Sequence, residues 1–298
     1  MAYHLPVLYQ ESLDNLNIEE NGVYVDATFG GGGHTKGILE RLGTKGKVFG
    51  FDQDPDAAKN AINDNRFQFV KSNFQYLKNY LKLYAVKQVD GILADLGVSS
   101  HQLDQAERGF SYRFEADLDM RMNYESGKSA ISVLNGYSVE QLQAVFSKYG
   151  EIRNSKTLAQ TIETARFGRK IERNEDFVEI IEGCIRGQRN RYLAQVYQAL
   201  RIEVNDEMKV LSEFLIQATE VLKPGGRLVV ISYHSLEDRM VKNYLKTGNE
   251  KGVVDKDFYG NIHRPFKIIS KKPILPSEIE IKENLRARSA KMRVGEKA

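Results

Sequence analysis

The sequence has one cysteine, Cys184, in 298 residues. A single thiol excludes an intramolecular disulfide and a four-cysteine zinc site, and it agrees with a reducing, cytoplasmic compartment. Cys184 stands among Ile180, Ile181 and Ile185, the setting of a buried structural thiol. No apolar run approaches the length of a membrane span. The stretch MAYHLPVLYQE lacks the basic-then-apolar pattern of a secretory signal. Repeats and low-complexity tracts are absent, and no side-chain set has convincing metal-ligand spacing. Charge of one sign is also scarce: 43 Lys and Arg against 40 Asp and Glu leave +3, which permits a nucleic-acid partner without arguing for one. Hydrophobic residues make up 41%, enough for a full core, and the length suits one large domain or two smaller ones.

What is present is organised around residues 22–34, GVYVDATFGGGGH. Val23, Tyr24 and Val25 are a predicted buried strand that ends in Asp26 and runs into Gly30, Gly31, Gly32 and Gly33. A helical stretch follows, with Ile38 and Leu39 as its apolar face. Glycines after a strand let the backbone turn sharply and let a ligand approach the main chain. The helix N-terminus adds free N–H groups. The arrangement predicts a nucleotide-type cofactor cradle, with an ordinary tight turn as the alternative for the loop alone. The dinucleotide fingerprint fails: counting from Gly30 the sixth position is Thr35, and from Gly32 the third is His34. What stands instead is Asp26-x-Thr28-x-Gly30-x-Gly32. That resembles the first motif of S-adenosylmethionine (AdoMet) methyltransferases, with Thr28 in place of the usual first glycine.

A second strand, Lys47 to Phe51, leads to Asp52, 19 residues after Gly33. An acid there can bind two ribose hydroxyls; a plain strand-end turn is the alternative. Asp54-Pro55 reads as the N-cap and first turn of a helix from Asp56 to about Asn63. The third strand is Phe67 to Lys71. Phe74 after it is either an adenine contact or a core aromatic, and a helix runs from Phe74 to Tyr84. The fourth strand, Val89 to Leu93, leads into Asp95. Strands alternating with helices imply a parallel sheet with right-handed crossovers. Asp26, Asp52, Phe74 and Asp95 then share its carboxyl edge, where such sheets bind ligands.

From about Leu103 to Asn205 the periodicity is helical. Ser138 opens a capping box with Gln141, and further helices cover Thr157 to Ala165, Phe177 to Ile185, and a stretch from near Leu193. Between Lys148 and Arg201, 11 Lys or Arg face 7 Asp or Glu, clustered at Arg166 to Lys170 and Arg186 to Arg191. Arginines interleaved with aromatics suit phosphates and unstacked bases; a solvated helix face is the other reading. After Asp206 a long helix through Met208 and Leu222 ends at Lys223-Pro-Gly-Gly226. A buried strand, Arg227 to Tyr233, follows, and His234 opens another helix as a cap, an RNA contact or a base. Phe266 to Ser270 and Arg288 to Val294 form a candidate closing antiparallel pair.

Several stretches together resemble the RsmH (MraW) family, the 16S ribosomal RNA cytosine-N4 methyltransferases. They are His4-x-Pro6-Val7-Leu8, Asp26 to His34, Asp95 to Asp104, Glu107 to Ser111, Asp117 to Met122, and Tyr149-Gly-Glu151. Further on come Gln198 to Ile202, Asn205, Pro224 to Leu228, Ser232 to Arg239, and Arg286 to Ser289. The family usually has proline where His101 stands and a longer segment before the last strand. The resemblance implies an α/β class I methyltransferase (Rossmann-like) sheet, residues 1–103 and 206–298, with an inserted helical substrate-recognition domain, 104–205. It implies AdoMet contacts at Gly32, Gly33, His34, Asp52, Phe74, Asp95 and Gln102. It implies N4-methylation of a decoding-centre cytidine in 16S rRNA of the small ribosomal subunit.

The exocyclic amine of cytosine is a poor nucleophile, because its lone pair is delocalised into the ring. An acceptor hydrogen-bonded to that amine helps direct the lone pair and receive its proton. Other amino-methyltransferases carry a Pro-Pro-aromatic motif at the end of strand four; Asp95-Leu-Gly-Val-Ser-Ser stands there instead. Asp95 is therefore the candidate acceptor, with Ser99 and Ser100 as polar neighbours, and the rival is that Asp95 only binds the cofactor's amino group. The target base must leave its stack. The inserted helices and the Asp117 to Met122 segment are expected to wall its cleft. No metal is needed by this route. An NAD-dependent oxidoreductase and an RNA-binding module with a vestigial cofactor site are the competing classes. Oligomeric state is left open, a homodimer included.

Overall fold

The structure, a computed structural model, describes residues 6–254, 256 and 264–298; His4 and Leu5 of the N-terminal motif lie outside them. The chain divides into two compact units, Met1–Gly97 with Lys209–Ala298, and Val98–Met208. The division falls earlier than residue 103 because Val98 and Leu103 pack on the helical core of the second unit. Ser99, Ser100 and Gln102 therefore belong to that unit.

The first unit begins with α1 (Tyr9–Leu16), β1 (Val23–Asp26), α2 (Gly33–Arg41), β2 (Lys47–Asp52), β3 (Phe67–Lys71), α3 (Leu77–Leu83) and β4 (Val89–Asp95). The second unit contributes α4 (Ser100–Asp104), α5 (Ala130–Gly136), α6 (Val139–Gly150), α7 (Ser155–Gly168), α8 (Asn174–Ile181) and α9 (Arg189–Val204). The chain returns with α10 (Glu207–Val221), β5 (Leu222–Ser232), α11 (Ser235–Thr247), β6 (Phe266–Ile268), α12 (Glu278–Glu283) and β7 (Lys291–Lys297).

The strands of the first unit form one sheet in the order β3-β2-β1-β4-β5-β7-β6. The pairs among β1 to β5 are parallel, and β7 runs antiparallel to both β5 and β6. Side chains alternate between two cores, as the period of two requires. Val25, Phe49, Ile92, Leu228 and Val230 meet α3, α10 and α11, while Tyr24, Val48, Leu93, Val229 and Ile231 meet α1 and α2. Both faces are covered, which is why these strands read as near-continuous apolar runs.

Two local predictions are corrected. The helix expected over Asp56 to Asn63 is a 3₁₀ stretch, Pro55–Asn60, although Asp54 caps it by accepting the Asp56 N–H as predicted. Ala57 is its one buried residue, so no apolar stripe holds a full α-helix there. The fifth strand begins at Leu222 rather than Arg227. Leu222 pairs Val89, Arg227 pairs Gly91, and residues 223–226 loop out between them at a bulge. Pro224 has no N–H to donate and Gly225 takes φ +81, so the excursion suits its residues.

The second unit is all-helical around Leu142, Phe146, Leu158, Ile162, Phe177 and Leu193. Ser138 and Gln141 form the predicted capping box on α6. Cys184 is buried and free. Arg108 threads under the 117–122 segment and donates from Nη2 to the carbonyls of Arg121 and Met122, at 3.1 and 2.9 Å. Asn205 clamps the same segment, accepting the Met122 N–H at 2.7 Å and donating to the Met120 carbonyl at 2.8 Å. A side chain at Gly109 would strike the Asp117 carbonyl at 2.4 Å, so only glycine fits. Among the described residues no helix is long and apolar enough to cross a membrane.

Candidate active site

In an open parallel sheet the ligand crevice opens where the strand order reverses, here between β1 and β4. β1 ends at Asp26, which is fully buried and organises the glycine turn. Its Oδ2 accepts the Thr35 hydroxyl at 2.7 Å and its Oδ1 accepts the Thr28 N–H at 3.2 Å. Burial pushes this carboxyl up to about 6, against the pull of those bonds. Gly30 and Gly32 take φ +49 and +75, a region that disfavours side chains. A Cβ on Gly32 would meet the Phe29 ring at 2.9 Å, and one on Gly33 would meet Pro6 at 2.4 Å.

Asp52 closes the turn from the next strand. Its Oδ2 accepts the Gly30 N–H at 2.7 Å and its Oδ1 accepts the Asp54 N–H at 2.8 Å, while burial raises it to about 6. Each oxygen keeps a second lone pair, so a diol can still be bound. Asn60 anchors the turn from a third direction, donating to the Gly30 carbonyl at 2.9 Å. Phe74 is half-buried, its ring edge-on to Phe214 at 5.0 Å. The ring packs against the core beneath it, as the core-aromatic reading expects.

His34 lies in the first turn of α2, buried to 5% exposure and hydrogen-bonded to the Val7 backbone. Burial lowers its pKa to about 4, so the ring is neutral at physiological pH. Its Nε2 is buried without a hydrogen-bond partner among the described residues.

Asp95 ends β4. The Tyr233 hydroxyl donates to its Oδ1 at 2.8 Å, and its backbone N–H donates to Thr28 Oγ1 at 2.7 Å. Burial, opposed by the tyrosine bond and aided by the charges of Asp26, Glu237 and Glu280, raises the carboxyl to about 7. Tyr233 is itself raised well above its usual value by burial and by Asp95, so it stays a donor. It follows β5, and its N–H is fixed by Glu237 Oε2 at 2.9 Å. Neither Tyr233, at the end of a strand, nor Thr28, in the glycine motif, is assigned to Asp95 by the sequence pattern. The signal was available for Tyr233, which sits at the carboxyl end of a strand as the acids do.

His234 is the cap of α11: Nδ1 accepts the Glu237 N–H at 3.4 Å, and Glu237 reciprocates in a capping box. In the second unit Ser99 and Gln102 cap α4. Ser99 Oγ accepts the Gln102 N–H at 3.2 Å, and Gln102 Oε1 accepts the Ser99 N–H at 3.0 Å. Ser100 is exposed on the first turn.

The first unit thus brings Gly32, Gly33, His34, Asp52, Phe74 and Asp95 to one edge of its sheet. The residues fit AdoMet: a turn whose glycines leave no room for side chains, an acid able to take a ribose diol, a second acid able to take an amino group, and an orphaned imidazole nitrogen. A sheet of this order with this edge defines a class I AdoMet-dependent methyltransferase. Comparison with known proteins then narrows the class. The chain belongs to the MraW methylase family, whose pattern matches residues 1–298. It is 56% identical over 297 residues to the ribosomal RNA small subunit methyltransferase H of Bacteroides fragilis strain YCH46, covering 99% of this chain and 98% of that one. It is 55% identical over 298 residues to the protein of the same name from Bacteroides thetaiotaomicron, covering 100% and 98%. The corresponding figures for Christiangramia forsetii are 53% over 298 residues, 100% and 98%. The oxidoreductase alternative is thereby set aside.

Proposed function

We propose that this chain is a cytoplasmic enzyme that methylates the exocyclic N4 of a decoding-centre cytidine in 16S rRNA of the small ribosomal subunit. Its end-to-end similarity to proteins named for small-subunit rRNA methylation supports the RNA substrate. The observation that carries the chemistry is Asp95, a carboxyl raised to about 7 with one oxygen held by Tyr233.

Bound AdoMet supplies an electrophilic methyl on a sulfonium. Asp52 would hold the ribose end, the Gly30–Gly33 turn would admit the cofactor against the backbone, and Asp95 would face the reacting end. With Oδ1 fixed by Tyr233, Oδ2 accepts an N–H of the cytosine amine and turns its lone pair toward the methyl carbon. In that transfer positive charge would develop on N4 as the new N–C bond forms, the pair of the broken S–C bond staying on sulfur. Asp95 takes the departing proton and passes it to solvent. A carboxyl titrating near 7 is matched to that transfer. Holding methyl and amine in line supplies much of the rest, about 7–11 kcal/mol in favourable cases.

The test is methyl transfer from labelled AdoMet to small subunits lacking base modifications, compared with free rRNA. Label on one cytosine N4 is expected. AdoMet binding with no labelled RNA would overturn the assignment and leave the vestigial-site reading in its place.

A further inference from the structure

In the second unit most arginines are matched with acids. Arg189 forks onto Glu182, Arg169 meets Asp176, Arg173 meets Glu175, and Arg201 meets Glu207. Arg153 and Arg191 are exposed and make no hydrogen bond or ion pair among the described residues. Arg186 donates from Nη1 to the carbonyls of Gly183 and Ile185, at 3.2 and 2.9 Å, and pairs with no acid among the described residues.

These three arginines line one open cleft of about 830 Å³, together with Asn154, Gln188 and one acid, Glu151. Its walls are held in place. Tyr192, buried beneath, donates to Asn154 Oδ1 at 3.2 Å, and Asn154 Nδ2 donates to the Cys184 carbonyl at 2.8 Å. That ties the turn after α6 to the turn before α9. Like charges gathered in a concavity repel one another and focus a positive potential that an entering anion relieves. The guanidinium fork matches phosphate oxygens in pairs. The space exceeds a bare phosphate and suits a nucleotide, and the amides of Asn154 and Gln188 can meet a sugar or base edge.

Resting on the rRNA reading above, we infer that this cleft binds the phosphodiester backbone of the substrate RNA, with Arg153 and Arg191 on phosphate and Arg186 beside them. The helical unit then grips the strand through its backbone charge, independently of base identity.

The test uses the full chain carrying Arg153→Gln with Arg191→Gln, both exposed, with Lys82→Gln plus Lys87→Gln on the first unit as a charge-matched control. The readouts are KM for the rRNA substrate and the salt dependence of binding to a fluorescein-labelled single-stranded decoding-region fragment. KM for RNA is expected to rise about 10- to 100-fold, with kcat and AdoMet affinity within about twofold. The slope of log Kd against log salt should fall by about 1.4, the counterions released by two phosphates on a single strand. An unchanged KM in the double variant, where the wild-type enzyme methylates rRNA, overturns the inference. An equal loss in the control overturns it too, as does retained RNA binding with loss of an acidic protein partner. A wild-type chain that methylates no RNA fails the proposed function, and the inference with it.

Discussion

The two units handle charge in opposite ways. At the strand-end edge Asp26 is buried, Asp52 and Asp95 are half-buried, and desolvation raises the three to about 6, 6 and 7. Around the cleft of the helical unit Arg153, Arg186 and Arg191 stand exposed. A group that must take a proton, or hold a cationic methyl donor, gains from exclusion of water, because its interactions strengthen and its pKa moves toward neutrality. A group that collects a polyanion works at the surface, where its field reaches about a Debye length, roughly 8 Å at physiological salt. On the proposed reading, chemistry and recognition call for different environments, and the two units offer them from separate cores.

The comparison breaks most decisively at Asp95. Asp95→Asn should lower kcat about 10²- to 10⁴-fold, the range of general-base contributions, with AdoMet affinity little changed in isothermal titration. Unchanged kcat with weakened AdoMet binding would make Asp95 a cofactor ligand only. Phe146→Ala attacks the other region. It empties the helical core at a loss of about 3–5 kcal/mol, and rRNA methylation should fall while AdoMet binding to the first unit persists. Loss of both together would show that the units do not fold independently. Gly32→Ala should cost about 1–2 kcal/mol for the left-handed backbone, more with the Phe29 contact, seen as a lower Tm and weaker AdoMet binding.

Two smaller effects sharpen the electrostatics. In the wild type kcat should rise with pH through about 7 as Asp95 ionises. The Tyr233 bond lowers that pKa, so Tyr233→Phe should shift the rising limb to higher pH and reduce kcat at neutrality about 3- to 10-fold. A limb that does not move removes Asp95 as the titrating group. The weakest effect is on stability. The three acids have folded values above the ordinary 3.8, so the folded state holds more protons between about pH 4 and 7. Their contribution to stability therefore falls as pH rises through that window. AdoMet, being cationic at sulfur, should raise Tm more at pH 7.5 than at 5.5.

Much of this was legible in the residues. Strands Val23–Asp26, Lys47–Asp52 and Phe67–Lys71 follow from apolar runs closed by an acid or a polar turn, and the Ser138 box follows from cap chemistry alone. What escaped was whatever depended on a distant partner. Asp56 to Asn63 looked helical by its cap, yet only Ala57 of the 3₁₀ stretch is buried, too little for an apolar stripe. Ser99 and Gln102 read as site residues by motif, while their side chains are also caps.

By itself the sequence determined the α/β class, the glycine turn, and the acids at strand ends, because alternation, glycine and strand termini are local properties of the chain. Only the tertiary structure decided that Tyr233 reaches Asp95 across 138 residues. It alone decided that Asp26 is wholly buried beneath the turn, and that Arg153, Arg186 and Arg191 share a cleft with a single acid, Glu151. Burial and pairing are set by which segments meet in space, and that is what fixes how strongly a charge is held.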